Sequence, residues 1–340
     1  MTTTPIETVQ RPHGVNLVRW AKDRPEVLVL SADLTASCEA DGFRDAYPDR
    51  FFSMGMAEQN MMSFAAGLAR EGFTPFVHTF AVFICRRPFD QVAMSIAYPN
   101  LPVRLIGFLP GLTTAGGVTH QAIDDVALMR LLPNMTVLEC GDATEVESVL
   151  DAAQAINGPV YVRMLRGEVP RLFDPGAPLR LGQARPLGAG GDLAVLSTGI
   201  CTEEALRATA ALRAAGLAVA HLHVSTLKPF TDPLILETIA GVRHGVITME
   251  NHGIIGGLGS AVAESLAEAG LGKRLIRLGL RDTYAHGAGR DYLLREYGLD
   301  AMALVRAAED LTGARLGLTE AALAEVRLET LATADKTEDL

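Results

Sequence analysis

Short runs of consecutive apolar residues alternate along the chain with stretches in which apolar residues recur at helical spacing. In the first half, apolar runs lie at 27–32, 103–106, 136–138 and 160–162, and helical patterns at about 58–70, 86–97, 121–131 and 143–156. A continuous apolar run is typical of a strand that is buried on both faces of a sheet. The alternation predicts an α/β fold with mostly parallel sheets and helices on both faces.

The same alternation resumes after a stretch rich in proline and glycine. The second set comprises strands at 193–197, 217–224, 245–249 and 274–278, helices at 202–215, 232–240 and 257–269, and two closing helices. Proline and glycine favour turns and linkers. The pattern predicts two doubly wound domains, at 8–170 and 192–315, with a linker at 171–191 and a helical tail at 316–340.

Composition narrows the classes of partner and the expected location. The 340 residues carry a formal net charge of −10, which argues against a nucleic-acid partner and against an anionic membrane surface. No stretch has the ~20 consecutive apolar residues of a membrane span, and the first residues do not resemble a secretory signal. The four cysteines lack metal-ligand spacing, so we expect reduced thiols, no metal site in this chain and a cytoplasmic location.

Glu58 stands at the start of the helical pattern 58–70. Apolar residues follow it on nearly every turn, so it is predicted to begin a mostly buried helix. A buried carboxylate costs free energy, so it requires a compensating interaction or a function. The alternative is an acid of the first helical turn that satisfies free backbone N–H groups.

Four segments, in a fixed order, carry a family resemblance. They are Phe51–Asn60, which contains Glu58, then Pro75–Phe83, Thr119–Gln121 and Leu132–Asn134. In order and spacing they resemble the pyrimidine-binding domain of transketolases and of 1-deoxy-D-xylulose-5-phosphate synthases. The second half is similar to the transketolase C-terminal domain in Leu227–Phe230, Glu250–His252 and Gly256–Ser260. We interpret the glycines of the last segment as close packing at a strand-to-helix turn, because their spacing does not fit a dinucleotide loop.

The resemblance implies that thiamine diphosphate is the cofactor. Glu58 matches the family acid that protonates or hydrogen-bonds the pyrimidine nitrogen. Phe80 and Phe83 match aromatic residues that pack on the pyrimidine ring, and Arg86 follows at the next step of three. His120 matches a histidine of the substrate channel that hydrogen-bonds hydroxyl groups or moves protons. On residue type alone, the two phenylalanines also fit an ordinary core, and the histidine fits a helix cap.

The resemblance also implies a site for the phosphate of a sugar. Ser37 matches a phosphate-binding serine, and Arg11 and Arg166 match two arginines that bind the same group. Two positions depart from the family pattern. Gly116 stands near the place of an acid that reads hydroxyl stereochemistry, and Phe108 stands where transketolases usually have a histidine. We therefore expect a donor pocket that differs from the usual one.

Full-length transketolases have a further domain that binds the cofactor's diphosphate through a divalent metal, using a Gly-Asp-Gly motif and a later asparagine. The nearest sequence here, Gly191-Asp192-Leu193, lies at the end of the predicted linker and lacks the third glycine. The resemblance thus implies a B subunit that needs a separate A subunit. That partner would hold Mg²⁺ or another divalent cation, in an expected A2B2 heterotetramer.

The leading hypothesis is a subunit of a split transketolase that moves a two-carbon ketol unit between ketose and aldose phosphates or similar anionic sugars. The two departures favour a specialised catabolic substrate, such as apulose 4-phosphate or sulfofructose. One alternative is the beta subunit of a 2-oxo acid dehydrogenase, although the Thr-His-Gln and Leu-Pro-Asn segments are nearer to transketolase. The other alternative is a non-catalytic regulatory subunit.

Overall fold

The computed structural model describes residues 6–326 and residue 328. The strands are β1 (Thr8–Gln10), β2 (Val27–Ser31), β3 (Phe51–Ser53), β4 (Thr74–Phe80), β5 (Arg104–Phe108), β6 (Thr136–Glu139), β7 (Val160–Met164), β8 (Glu168–Pro170), β9 (Arg185–Gly188), β10 (Leu193–Ser197), β11 (Val219–His223), β12 (Thr226–Lys228), β13 (Gly245–Gly253) and β14 (Arg274–Leu280).

The helices, again in chain order, are α1 (Pro12–Trp20), α2 (Asp41–Ala46), α3 (Glu58–Arg70), α4 (Ala81–Cys85), α5 (Phe89–Gln91), α6 (Asp125–Leu131), α7 (Ala143–Gln154), α8 (Cys201–Ala214), α9 (Pro233–Gly241), α10 (Leu258–Glu268), α11 (Arg290–Glu296), α12 (Ala301–Thr312) and α13 (Glu320–Ala324). Short 3₁₀ helices lie at Ala21–Asp23 and Pro48–Arg50, and a π-helix lies at Val92–Ala97. Across the described residues, no helix combines the length and the apolar character needed to cross a membrane.

The larger sheet has seven strands in the order β12-β6-β7-β5-β4-β2-β3. Its pairings are parallel except that of β12 with β6. The second sheet has five strands in the order β14-β13-β10-β11-β9, and here β9 is the antiparallel member. The strands β1 and β8 form a separate antiparallel pair. The predicted α/β class with mostly parallel sheets is confirmed.

One buried apolar cluster spans the two main sheets. Because successive residues of a strand point to opposite faces, Leu28 and Val77 lie in one buried cluster while Val29 and Phe76 lie in another. The first of these clusters also contains Leu196 on β10 of the five-stranded sheet. The two halves of the chain therefore pack directly against each other.

Backbone pairing also crosses the predicted linker. The strand β9 lies inside the range 171–191 and pairs with β11 of the second sheet. In the opposite direction, β12 follows the linker in sequence but pairs with β6 at the edge of the larger sheet. The domain bounds given above remain a prediction. Within the predicted tail the structure contains α13, while residue 327 and residues 329–340 lie outside the described residues.

The prediction of one helix at 86–97 is wrong in its detail. The structure has α4 before it, then α5 and the π-helix Val92–Ala97. Pro88 explains the interruption, because proline lacks a backbone N–H and disfavours helical geometry in the residue before it. Arg86 caps the end of α4, and Pro88 precedes the first residue of α5. The break separates the environments of Arg86 and Arg87.

Arg163 on β7 is the centre of a buried polar network that joins the two halves. Its guanidinium donates to both carboxylate oxygens of Asp125, at 2.8 and 3.0 Å, and to Glu139 at 2.6 Å. It also donates to the backbone carbonyl of Asn251 on β13, at 3.0 Å. Burial would raise the pKa of Asp125, but the Arg163 charge lowers it below its ordinary value. The network fixes β13 against the larger sheet.

Candidate active site

Glu58 is the first residue of α3, and only 4% of it is exposed. Met61 and Met62, on the next turn, are fully buried, which agrees with the predicted buried helix. Arg87 Nη1 donates a hydrogen bond to Glu58 Oε1 at 2.6 Å. In the described part of the chain, the partner of this carboxylate is thus a guanidinium and not a backbone N–H of the helix.

Phe80, Phe83 and His120 form a cluster of three rings at the carboxyl end of β4. The two phenylalanine rings are nearly parallel, with 24° between their planes and 5.9 Å between their centroids. The imidazole packs edge-on against them, at centroid distances of 6.2 Å to Phe80 and 5.4 Å to Phe83. Phe83 and His120 are only partly buried. The fold therefore brings together three predicted site residues and leaves two of the rings accessible.

Arg87 belongs to this site, although the sequence analysis did not select it. Its Cζ lies 3.9 Å from the centroid of the Phe83 ring, while its Nη1 holds Glu58. A cation over an aromatic face is attracted by the ring's quadrupole. One side chain thus links the buried acid to the aromatic cluster. Local spacing carries no signal for this contact, because Glu58 and Arg87 lie 29 residues apart in the sequence.

Arg86, which was expected near the pyrimidine ring, is bound elsewhere. Its guanidinium pairs with the carboxylate of Asp124, with Nε–Oδ distances of 3.0 and 3.1 Å and an Nη2–Oδ1 distance of 2.9 Å. Burial lowers the pKa of Arg86, but the hydrogen bond and charge of Asp124 raise it above its ordinary value overall. Its assignment to the cofactor remains a prediction, and the contacts to Glu58 and Phe83 belong to Arg87.

A cleft of about 440 Å³ opens where the carboxyl ends of β2, β5, β6 and β7 face the start of α8. Arg11 and Arg166 lie in its walls. Arg166 Nη1 donates to the backbone carbonyl of Ser37 at 2.7 Å, so the predicted phosphate-binding serine lies beside this arginine. Arg166 Cζ is also 5.9 Å from the centroid of Phe80. The cleft is therefore a direct neighbour of the aromatic cluster.

Arg11 is held in place from both its backbone and its side chain. Its backbone has a left-handed conformation with φ of 48° just before α1, and its N–H donates to the carbonyl of Gly167 at 2.7 Å. The guanidinium pairs with Asp41, and this hydrogen bond raises the pKa of Arg11. Part of its hydrogen-bonding capacity is thus used inside the protein.

Phe108 lies in the protein interior beside two histidines. Its ring centroid is 5.3 Å from that of His13 and 6.1 Å from that of His78, and all three residues are fully buried. His78 Nδ1 lies 3.1 Å from the carbonyl of Phe76, so this nitrogen carries the proton. His13 Nε2 must then donate to His78 Nε2, at 3.0 Å. Burial lowers the pKa of both imidazoles, that of His78 to about 4.

Gly116 lies in the exposed loop next to the His120 ring. A Cβ atom added at Gly116 would lie 3.1 Å from His120 Cγ, which is tighter than ordinary contact. A larger side chain at this position would therefore press on the imidazole. The loop 113–119 contains no carboxylate at all. Gly116 thus lies beside the predicted site residue His120, and Phe108 is the register partner of Phe80 in the pairing of β5 with β4.

The arrangement fits the pyrimidine part of thiamine diphosphate. A flat heteroaromatic ring requires an apolar face and a carboxylic acid for its nitrogen. Phe83 supplies a partly exposed face, and Glu58 supplies the acid within reach of the same Arg87 side chain. Oε2 of Glu58 accepts no hydrogen bond from the described residues. Searched over the same residues, the structure has no group of three His, Cys, Asp or Glu side chains that could hold a metal.

Comparisons with known proteins identify the family of the chain. Residues 13–171 match the family model of the transketolase pyrimidine-binding domain, and residues 182–304 match that of the transketolase C-terminal domain. An uncharacterised transketolase family protein of Sinorhizobium fredii (strain NBRC 101917 / NGR234) is 41% identical over 296 residues, which cover 86% of each chain. The 6-deoxy-6-sulfo-D-fructose transketolase subunit SqwH of Clostridium sp. (strain MSTE9) is 40% identical over 297 residues, which cover 87% of this chain and 92% of that subunit.

A solved structure gives the same result at the level of the fold. It is a split-gene transketolase, an inactive β4 tetramer, with 39% identity and a TM-score of 0.80. The match covers 89% of this chain and 97% of the other. The chain therefore belongs to the transketolase family, whose members are thiamine diphosphate-dependent transferases, and it carries the pyrimidine-binding and C-terminal domains of that family.

Proposed function

We propose that this chain is the B subunit of a split, thiamine diphosphate-dependent transketolase that transfers a two-carbon ketol unit between anionic sugars. The observation that carries the proposal is the placement of a buried acid, Glu58, beside a partly open aromatic face, Phe83. Relatives that match over most of their length support it, because one is a transketolase subunit and another is a split-gene transketolase.

Each residue of the cluster has a definite task in this proposal. Glu58 holds a proton or a hydrogen bond at the pyrimidine nitrogen, and its burial keeps competing water away. Phe80 and Phe83 supply the apolar wall. His120, in edge contact with both rings, hydrogen-bonds a substrate hydroxyl or moves its proton. When bound, thiamine diphosphate would supply the carbon nucleophile needed to break and form carbon–carbon bonds beside a carbonyl.

The cleft next to the cluster suits a sugar with an anionic end. Guanidinium groups bind the oxygens of a phosphate through charge-assisted hydrogen bonds. Arg166 is the better placed of the two predicted arginines, because its hydrogen bond goes to the neutral carbonyl of Ser37, whereas Arg11 is paired with Asp41. A sulfonate offers a similar set of oxygens, and one relative is a sulfofructose transketolase subunit. The substrate class is therefore a phosphorylated or sulfonated sugar.

The proposal includes a second chain that binds the diphosphate and the divalent cation, Mg²⁺ in the simplest case. It would complete the cofactor site in an A2B2 heterotetramer. Support comes from the two matched domains, which in full-length family members are combined with a separate diphosphate-binding domain. A cytoplasmic location follows as part of the same proposal.

Calorimetric titration of thiamine diphosphate and Mg²⁺ tests the split site. We expect no saturable binding to this chain alone and stoichiometric binding to the chain co-purified with its partner. Tight binding to the isolated chain would contradict the division of the site. The loaded pair should then transfer a two-carbon unit from a ketose phosphate or sulfonate to an aldose acceptor. Acyl transfer to lipoate would favour the 2-oxo acid dehydrogenase alternative instead.

A further inference from the structure

The cleft beside the aromatic cluster has a wall that comes from the second half of the chain. Ile200, Glu203 and Arg290 line it opposite Arg11 and Arg166. Arg290 is the first residue of α11 and follows a segment, 281–289, that is exposed except for a few residues. It was not among the residues selected from the sequence. Arg290 therefore adds a third guanidinium to the cleft wall, beside those of Arg11 and Arg166.

Several contacts fix the segment before Arg290 against the first half of the chain. The side-chain amide of Gln121 donates to the carbonyl of His286 at 3.2 Å. A Cβ atom on Gly287 would lie 2.8 Å from the carbonyl oxygen of Ala115, so the two loops approach too closely for a side chain there. Ala285 is 2% exposed and packs in a buried apolar cluster that includes residues of β10, β11 and β13. The position of Arg290 at the cleft is thus set by contacts of the segment that precedes it.

Arg290 keeps donors free to bind a ligand. Its Nε lies 3.2 Å from Asp291 Oδ1, in an exposed pair. Neither of its terminal nitrogens has a hydrogen-bond partner within residues 6–326 and 328. Exposed pairs of this kind contribute little to stability, so a bound anion can compete with Asp291.

The carboxylates in the cleft wall are already bound to other groups. Glu39 accepts from the backbone N–H groups of Gly14 and Gly167, at 3.1 and 2.7 Å. Glu203 pairs with Arg207 at 2.8 Å, and Glu168 accepts from Gln10 at 2.8 Å. The loop 113–119, on which the Arg290 segment packs, contributes no carboxylate. Arg290 therefore has open donors in a cleft whose carboxylates each already accept at least one hydrogen bond.

We infer that Arg290 is a substrate-binding residue, which acts with Arg166 on the anionic end of the sugar. The ligand group is a tetrahedral oxyanion, phosphate or sulfonate, and the C-terminal domain takes a direct part in recognising it. This inference rests on the proposed function for the identity of the sugar. The binding of the anion itself does not depend on it.

Titration of inorganic phosphate and of methanesulfonate into the full-length chain tests the inference. Loss of one charge-assisted hydrogen bond raises a dissociation constant by about tenfold or more. We expect that increase for Arg290→Ala, with partial recovery in Arg290→Lys. Arg295→Ala, an exposed arginine of the same helix that does not line the cleft, is the matched control and should change the constant by less than about twofold. Equal constants for Arg290→Ala and the wild-type chain, or no saturable binding of either anion to the wild type, would overturn the inference.

The ratio of the wild-type dissociation constants for inorganic phosphate and methanesulfonate shows whether the site prefers a phosphate or a sulfonate. With the partner chain present, Arg290→Ala should raise the KM for an anionic ketose about tenfold and leave the KM for an uncharged ketose unchanged. An equal change for both donors would contradict a role in reading the anion. If the complex transfers no two-carbon unit from any ketose, the proposed function fails, while the anion titration still decides the role of Arg290.

Discussion

Arg87 Nη1 lies 2.6 Å from Glu58 Oε1, and the same guanidinium lies over the ring of Phe83 at 3.9 Å. The carboxylate is 4% exposed, whereas 48% of the arginine side chain is exposed. A buried acid is therefore held by a cation that approaches it from the solvent side. This relationship defines the candidate cofactor site more closely than any single residue does.

Glu58→Gln should abolish most of the transferase activity while leaving the fold and the assembly intact. Glutamine has nearly the same shape but cannot donate a carboxylic acid proton, and loss of general acid–base catalysis costs about 10²–10⁴ in rate. The measurement is two-carbon transfer by the assembled complex, with size-exclusion chromatography to check assembly. Glu71→Gln, at the exposed end of α3, is the control. Activity within tenfold of wild type would contradict the assigned role.

Arg87→Ala should destabilise the chain more than Arg86→Ala. The first change leaves the buried carboxylate of Glu58 without its guanidinium, a loss of about 1.5–3 kcal/mol in the free energy of unfolding. The second removes a partly exposed pair with Asp124 and should cost less than about 1 kcal/mol. Urea denaturation of the two variants measures the difference. The reverse order would show that Glu58 does not depend on Arg87.

The buried pair of histidines should make the chain less stable in mild acid. Burial lowers the pKa of His78 from 6.5 to about 4, so the unfolded chain binds its proton first as the pH falls. The contribution of His78 is complete above pH 6.5 and is lost as the pH approaches 4. Between pH 7.5 and 5 this amounts to about 2 kcal/mol.

His78→Asn removes this titration and should reduce the pH dependence of the free energy of unfolding by that amount. His13, whose pKa is also lowered by burial, contributes in the same direction and keeps part of the dependence. Chemical denaturation at pH 5 and at pH 7.5 gives the change in the free energy of unfolding between the two pH values, for the variant and for the wild type. An equal change in the variant and the wild type would show that His78 is not held in its neutral form.

Gly257→Ala should be strongly destabilising. The added methyl group would overlap Glu250 Oε2, the atom that accepts from the backbone N–H of Leu258 at 2.7 Å. Overpacking and the loss of this hydrogen bond together should cost about 3 kcal/mol. Gly67→Ala, at an open position inside α3, should instead gain about 0.5–1 kcal/mol. Thermal unfolding compares them, and similar melting temperatures would contradict close packing at Gly257.

Much of the local structure follows from the sequence alone. The helix predicted at 58–70 is α3, Glu58–Arg70, because its apolar residues recur at helical spacing with the acid at the start. The interpretation of the glycines near 257 as close packing agrees with the structure, since a side chain there would meet Glu250. These features depend on neighbours in the chain, so a pattern of residues can report them.

Other features depend on contacts between distant segments. The assignment of Arg86 to the cofactor came from the family resemblance and remains a prediction, whereas the contact between Arg87 and Glu58 is made by the packing of segments 29 residues apart. The pairing of β12 with β6 across the predicted linker has no signal in local periodicity.

By itself, the sequence determined the α/β class and the buried helix that begins at Glu58, because both follow from the spacing of residues that are neighbours in the chain. Only the tertiary structure decided which arginine holds Glu58 and that Arg290 reaches the cleft from the second half of the chain. The physical reason is that a hydrogen bond or a cleft depends on positions in space. Those positions are set by the packing of the two sheets against each other.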